Sequence, residues 1–251
     1  MVAARPLYVP VILGTSRKGR MSLPVAELMV SALSGRAEVE TELIDVARMW
    51  LPVDDAGEAI KDATFSARMS RADALVLVSP EYNHGYSGLL KHVLDTCLKE
   101  YIHKAVGVVG VSAGPFGGTR GIEALLPVLR ELGLVTIFWD VNFSMVQNVF
   151  DGSGALRDQA YLPRIDKFLD ELVWMARTLR HGREHVVLES GARRVAAEAK
   201  PMTCPSCGRE MNQHAEKLVP STGSADVVET LHACPVCGTG ASRRGEAGKA
   251  R

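Results

Sequence analysis

The chain has no net charge to spare: across 251 residues, 29 Lys and Arg are balanced by 29 Asp and Glu. That balance excludes a global basic field of the kind that gathers nucleic acid, and it excludes an acidic solvating tail. There is also no uninterrupted apolar run of about eighteen residues, so no transmembrane helix is expected. The apolar stretch near the N-terminus is short and broken by Pro10. It is too brief for a signal peptide and is expected to form a first strand. Cysteine is scarce. Of the five, Cys97 stands alone and is expected in the core, while Cys204, Cys207, Cys234 and Cys237 form two Cys-x-x-Cys pairs. Paired thiols without an export signal point to metal before disulfides, and to a cytoplasmic location. Two common phosphate-binding signatures are missing as well: no loop ends in Gly-Lys-Ser/Thr, and there is no G-x-G-x-x-G.

What is present is an alternation. Strands are expected at 8–13, 39–44, 75–78, 105–111 and 135–139, and helices at 22–33, 58–70, 87–99, 121–132 and 156–179. Apolar residues at helical spacing (Leu23, Ala26, Met29, Val30, Leu33) mark the first helix, with Ser22 as its expected N-cap. Strands that alternate with helices predict a parallel sheet covered on both faces, and continuous apolar runs such as Ala74-Leu75-Val76-Leu77-Val78 suit strands buried on both sides. The fold class expected is α/β, a flavodoxin-like, doubly wound, five-stranded parallel sheet followed by a small metal-stabilised ribbon. Trp50, Trp139 and Trp174 are expected in the core or at an oligomer contact.

Three loops leave the carboxyl ends of expected strands, where open parallel sheets bind ligands. The first, Gly14-Thr15-Ser16-Arg17-Lys18-Gly19-Arg20-Met21-Ser22, joins hydroxyls and guanidinium groups to a helix N-terminus. It suits a phosphate, and read alone it suits a polar connection equally well. The second is Ser79-Pro80-Glu81-Tyr82-Asn83-His84-Gly85-Tyr86-Ser87-Gly88-Leu89-Leu90-Lys91, whose tyrosines and amide suit a planar ligand with polar edges. The third, residues 112–121, contains the pair Gly117-Gly118, which permits positive φ and close backbone approach.

Together these loops resemble the NADPH-dependent FMN reductase family over roughly residues 6–180, most specifically in the second loop. The resemblance implies FMN as cofactor and NAD(P)H as co-substrate. Thr15, Ser16, Arg17, Arg20 and Ser22 then become phosphate contacts. Pro80, Glu81, Tyr82 and Asn83 border the isoalloxazine ring largely through backbone groups, and Ser112, Gly114 and Gly117 close its other side. Because the flavin carries the hydride, no catalytic side chain is expected. The implied reaction is ping-pong transfer from NAD(P)H to a quinone, flavin, azo or nitro compound.

The composition shifts after residue 180. Residues 1–180 are expected to form the FMN-binding domain. Residues 181–200 are expected to be a linker with a short helix near 192–199, residues 201–240 a four-cysteine module, and residues 241–251 a disordered basic tail. The two Cys-Pro-x-Cys-Gly knuckles hold four thiolates for one tetrahedral ion. Rubredoxin-like iron is the competing reading. No Phe, Tyr or Trp lies between Cys204 and Cys237, so structural zinc is preferred. Four cysteines close such a site, and His214 and His232 are not expected as ligands. The partners expected are a small-molecule acceptor and further copies of the chain in a homodimer or homotetramer, without membrane or nucleic acid. The alternative function is an FMN-binding regulatory or scaffold protein whose module recruits protein or nucleic acid.

Overall fold

A computed structural model describes residues 5–53, 60–186, 201–219 and 227–246. The chain divides into two compact units, one built from residues 1–53 and 60–186, the other containing the C-terminal cysteines.

The first unit is a parallel sheet. β2 (Val11–Leu13), β4 (Leu43–Asp45), β5 (Ala74–Pro80), β6 (Lys104–Val111) and β7 (Leu134–Thr136) lie in the spatial order β4-β2-β5-β6-β7. β1 (Leu7–Tyr8) and β3 (Val39–Glu40) pair with each other in parallel, as a second stretch of the β2 and β4 segments. Between β1 and β2 stands Pro10, which has no N–H to give to a ladder. Counted by chain segment, the order is 2-1-3-4-5, the flavodoxin-like arrangement expected.

Successive strand residues point to opposite faces, and each face has its own core. Val11, Leu13, Val76, Val78 and Val109 share one cluster with residues of α1 (Ser22–Ser34) and α5 (Tyr161–His185). Ile12, Leu75, Leu77, Val106 and Val108 share the other with residues of α2 (Ala63–Arg71), α3 (Gly88–Asp95) and α4 (Thr119–Glu131). Packing is close: a Cβ on Gly107 of β6 would lie 2.3 Å from the Phe168 ring of α5.

Several elements depart from the expected boundaries. Ser22 is the first residue of α1, and Met21 takes the cap position, where it has no side-chain cap hydrogen bond. α2 begins at Ala63, capped by Asp62, whose side chain accepts from the Phe65 N–H at 2.7 Å. Residues 58 and 59 of the expected helix lie outside the described residues. α3 ends at Asp95, four residues early, and the Thr96 hydroxyl donates to the Val93 carbonyl at 2.7 Å. The fifth strand is split. β7 pairs with the start of β6, and β8 (Val141–Phe143) pairs with its end. Phe138 and Trp139 fall in the gap and stand out of the core, Phe138 at 79 % exposure. Their apolar character made the gap look like strand. Trp50 and Trp174 are also exposed, at 74 % and 60 %, so neither is a core residue.

α5 starts at Tyr161 because Leu156 is taken up in a bridge with Phe150. It runs past the expected boundary to His185 because its last turns are anchored. Asp73, fully buried at the head of β5, faces Arg183 at 3.0 Å, Arg5 at 2.8 Å and Arg180 at 3.6 Å. Cys97 is buried as expected, and burial, reinforced by Glu100, pushes its thiol up to about 11.

In the C-terminal unit, β9 (Asn212–Val219), β10 (Val227–Ala233) and β11 (Gly240–Glu246) form an antiparallel sheet with β10 in the middle. The expected disordered tail is corrected over residues 241–246. Cross-strand pairing from Val227↔Glu246 to Ala233↔Gly240 supplies backbone hydrogen bonds that a polar composition does not advertise. Residues 247–251, most of the expected linker and the short helix at 192–199 lie outside the described residues.

Candidate functional site

β2, β5 and β6 run parallel in register, Leu13 beside Val78 and Pro80 beside Val111, so their three following loops emerge at one sheet edge. The first loop is tied down at its start. The Gly14 N–H donates to the Val78 carbonyl at 2.9 Å, and a Cβ at Gly14 would press on Leu90 at 3.0 Å. Thr15 is buried, while Ser16, Arg17 and Lys18 are exposed. Arg20 turns back into the fold. Its Nη1 donates to the Thr15 carbonyl at 2.6 Å, and its Nη2 meets Asp45 Oδ2 at 2.5 Å, with both side chains nearly buried at 12 % and 10 % exposure. Ser22 is buried beneath the loop, and its Oγ has no hydrogen-bond partner among the described residues. No side chain caps the first turn of α1, in which Pro24 has no N–H and the Leu23 N–H reaches the Arg20 carbonyl at 3.4 Å. The orphan Ser22 hydroxyl at the positive end of the α1 dipole is suited to an anion.

The second loop is a tight reversal. Tyr82 and Gly85 exchange backbone hydrogen bonds at 2.8 and 3.0 Å, and the residues between them, Asn83 and His84, both have positive φ, 50° and 66°. Two left-handed central residues are the mark of a type I′ turn, and Asn tolerates that region better than most. Pro80 ends β5 in the core. The Glu81 N–H donates to the Val111 carbonyl at 2.9 Å, which ties this loop to the end of β6. Tyr82 joins the loop to the first one: its hydroxyl lies 2.8 Å from Thr15 Oγ1, and the Arg17 guanidinium covers its ring at 4.2 Å.

The third loop is shaped by its glycines. Gly117 and Gly118 have φ of 59° and 88°. A Cβ on the first would come within 2.7 Å of Asn142 Cβ, and one on the second within 2.6 Å of the Val111 nitrogen, so neither position has room for a side chain. A Cβ on Gly114 would meet nothing within 4 Å, so the space beside it is open. The Ser112 hydroxyl donates to the Gly114 carbonyl at 3.0 Å, and the Ser112 N–H donates to Phe143 of β8 at 3.0 Å.

Of the expected residues, Thr15, Arg17 and Tyr82 are in direct contact, and Ser112, Gly114 and Gly117 share one loop. Ser16 lies exposed on the first loop, and Asn83 shapes the second. Arg20 is held by Asp45. Two supporting groups escaped the sequence reading. Asn142 of β8 donates to the Gly117 carbonyl at 3.4 Å and to Thr119 Oγ1 at 3.2 Å. The backbone at 145–146, with Met145 left-handed at φ 47°, donates to the Gly114 and Ser112 carbonyls. An asparagine inside a strand, a poor strand former, was the one available signal.

In the C-terminal unit, the four cysteine sulfurs lie within 4.8 Å of one another, with Cys204–Cys237 and Cys207–Cys234 each at 3.5 Å. The two knuckles are built alike. Cys204 and Cys234 donate their N–H to Arg209 and Thr239 at 2.7 and 2.9 Å. Gly208 and Gly238, at φ 72° and 71°, donate back to the cysteine carbonyls at 2.9 and 3.0 Å. Crowding splits the thiols. Burial pushes Cys204 up, but the N–H groups of Ser206 and Cys207 outweigh it and bring the thiol down to about 6. The N–H of Arg209 lowers Cys207, but the Cys234 sulfur and burial outweigh it and drive that thiol to about 12. Four thiolates cannot coexist at this spacing without a cation between them, and a tetrahedral ion with bonds of about 2.3 Å sets its sulfurs about 3.8 Å apart.

The family model described as NADPH-dependent FMN reductase matches residues 7–147. The chain belongs to the NADPH-dependent FMN reductase family. The matched span holds all three loops and ends before α5 and the four cysteines. The chain is 32 % identical over 121 residues to an NAD(P)H-dependent FMN reductase of Pseudomonas aeruginosa, covering 46 % of this chain and 65 % of that protein. It is 32 % identical over 120 residues to an NADPH azoreductase of a Bacillus species, covering 46 % and 64 %. The chain thus spans just under two thirds of either relative's length. An FMN-dependent NADPH-azoreductase of Staphylococcus haemolyticus is 26 % identical over 176 residues, 65 % of this chain and 92 % of that one. In fold, the chain is similar to FerB, a flavoenzyme NAD(P)H:(acceptor) oxidoreductase of Paracoccus denitrificans, with a TM-score of 0.58 at 22 % identity over 68 % of this chain and 98 % of the other.

Proposed function

We propose that this chain is an FMN-dependent NAD(P)H oxidoreductase that passes electrons to a quinone, flavin, azo or nitro compound by a ping-pong mechanism. The observation that carries this reading is the convergence, in a chain of this family, of three short loops on one edge of a parallel sheet, with an uncapped helix N-terminus and the orphan Ser22 hydroxyl beneath the first. The residues present fit the cofactor. Thr15, Ser16, Arg17 and Ser22 would hold the phosphate at the N-terminus of α1, and Arg20 would brace that loop through Thr15 and Asp45. Pro80, Glu81, Tyr82 and Asn83 would border the ring on one side, and Ser112, Gly114 and Gly117 on the other. When bound, the flavin supplies the hydride chemistry. The side chains bind and orient, and none needs to move a proton.

In the C-terminal unit, Cys204, Cys207, Cys234 and Cys237 would hold one zinc ion. The sulfur spacing supports this, and so does the lack of aromatic shielding of the kind rubredoxin iron sites carry. The domain limits proposed move outward from those expected, to residue 186 for the flavin unit, just past the end of α5, and to residue 246 for the metal module, the end of β11. A homodimer or homotetramer in the cytoplasm completes the reading, with the exposed Phe138 and Trp174 as apolar surface for a second copy. No helix among the described residues is long and apolar enough to cross a membrane.

The test uses the purified full chain. A yellow protein with flavin absorbance, NADPH oxidation that depends on an added quinone or azo dye, and one zinc per chain by elemental analysis are expected. A protein that takes up no FMN sinks the oxidoreductase reading. A red protein with stoichiometric iron sinks the zinc assignment.

A further inference from the structure

Arg120 is the second residue of α4, at the end of the third loop, and both arms of its guanidinium reach the second. Nη2 lies 2.5 Å from Glu81 Oε1, and Nη1 donates to His84 Nε2 at 2.8 Å, while the guanidinium covers the Phe116 ring at 4.8 Å. One side chain therefore touches the second loop twice and the third loop once. The Glu81 side chain is only 5 % exposed. A carboxylate so buried needs a cation, and among the described residues the ion pair it makes is with Arg120. Its other oxygen, Oε2, is buried without a hydrogen-bond partner among those residues. The backbone beneath leaves little slack: a Cβ on Gly121 would lie 3.1 Å from the Gly85 carbonyl oxygen. His84 keeps its left-handed φ while its ring is held by Arg120.

We propose that Arg120 is a positioning residue that clamps the 81–85 turn to the 112–118 loop and neutralises Glu81 beside the ring. The proposal rests on the flavin reading of this edge. It gives Arg120 two separable roles. The planar fork spans Glu81 and His84 at once and fixes the turn, which a lysine ammonium cannot do. The positive charge offsets the Glu81 carboxylate. Without it, an uncompensated negative charge sits beside the flavin, disfavours the electron-rich reduced form and lowers the reduction potential.

Three variants of the full chain separate these roles: Arg120→Met, Arg120→Lys and the double Glu81→Gln/Arg120→Met. In flavin-free protein, amide exchange at Tyr82 and Gly85 is expected to speed up about tenfold or more in Arg120→Met, as befits loss of charge-assisted hydrogen bonds, and to remain fast in Arg120→Lys. In loaded protein, the flavin potential is expected to fall in Arg120→Met and to return toward the wild-type value in Arg120→Lys and in the double variant. Should Arg120→Met fail to fold, the double variant, which buries no lone charge, keeps the exchange comparison and Arg120→Lys the potential. Wild-type exchange at Tyr82 and Gly85 in the variants, with an unchanged potential, overturns the clamp. If the wild-type chain binds no FMN, the flavin reading fails, and the exchange rates still decide whether Arg120 holds the turn.

Discussion

In the N-terminal unit every residue of β5 and β6 is buried, and an apolar cluster lies against each face of the sheet. Among the described residues of the C-terminal unit the buried apolar cluster is Cys204, Met211 and Cys234, with Met202 and Ala241 packed against it. Two of those three buried residues are themselves candidate ligands. Area removed from water stabilises the first sheet, whereas the described residues of the second bury little of it to offset the ordering of three strands. The difference teaches where each unit is vulnerable. One fails when its packing is damaged, and the other fails when its ion is removed.

Removing the metal is the sharpest way to break the comparison. A strong chelator, or Cys234→Ser, is expected to abolish the fold of the C-terminal unit outright, since structural zinc in such modules contributes on the order of 10 kcal/mol or more. The N-terminal unit should keep its thermal transition and its FMN binding, and calorimetry of the full chain would separate the two. The converse experiment is Phe168→Ala. This ring fills the space above Gly107, and its loss is expected to cost about 3–5 kcal/mol in the melting of the N-terminal unit while leaving zinc content unchanged.

A smaller effect comes from Glu100, whose side chain is mostly buried. Burial pushes its carboxyl up, but hydrogen bonds from its own N–H, Ser66, Leu98 and Lys61 outweigh that and hold it at about 2, below its ordinary 4.5. The folded value is depressed, so the contribution is present above pH 4.5 and is lost as the pH falls toward 2. Glu100→Gln should flatten the acid limb of the stability curve in that window, by about 1 kcal/mol once solvent screening is allowed for. The smallest effect expected is that of Tyr82→Phe. It keeps the ring beneath Arg17 and removes the hydrogen bond to Thr15, about 1 kcal/mol, visible as a modest loss in FMN affinity with little change in melting.

The sheet was legible because strands buried on both faces announce themselves as unbroken apolar runs, as at residues 74–78. The three loops were legible because glycine, proline and asparagine cluster where the chain must turn. The four cysteines were legible from spacing alone. Other features were not, for physical reasons. β11, Gly-Ala-Ser-Arg-Arg-Gly-Glu, is a strand through its pairing with β10, and nothing in its composition favours one. The split of β7 from β8 depends on where β6 offers its hydrogen bonds. Arg120 looks like any charged residue in a first helical turn, and its partner Glu81 lies 39 positions earlier in the chain. The same holds for Arg20, which as a sequence feature is indistinguishable from an arginine aimed at a phosphate.

That last pairing has a consequence for how the site would respond to its surroundings. With Asp45 at 2.5 Å from Arg20, the best-buried cation of the first loop is already neutralised within the protein. A phosphate arriving there meets amide dipoles, hydroxyls and the exposed charges of Arg17 and Lys18 on the surface. Recognition built on fixed short-range dipoles is weakly screened by dissolved ions, while attraction to exposed cations fades beyond about 10 Å at 0.1 M salt. FMN would thus be drawn in faster at low ionic strength yet held with nearly the same tenacity at high, its capture and its retention governed by different residues.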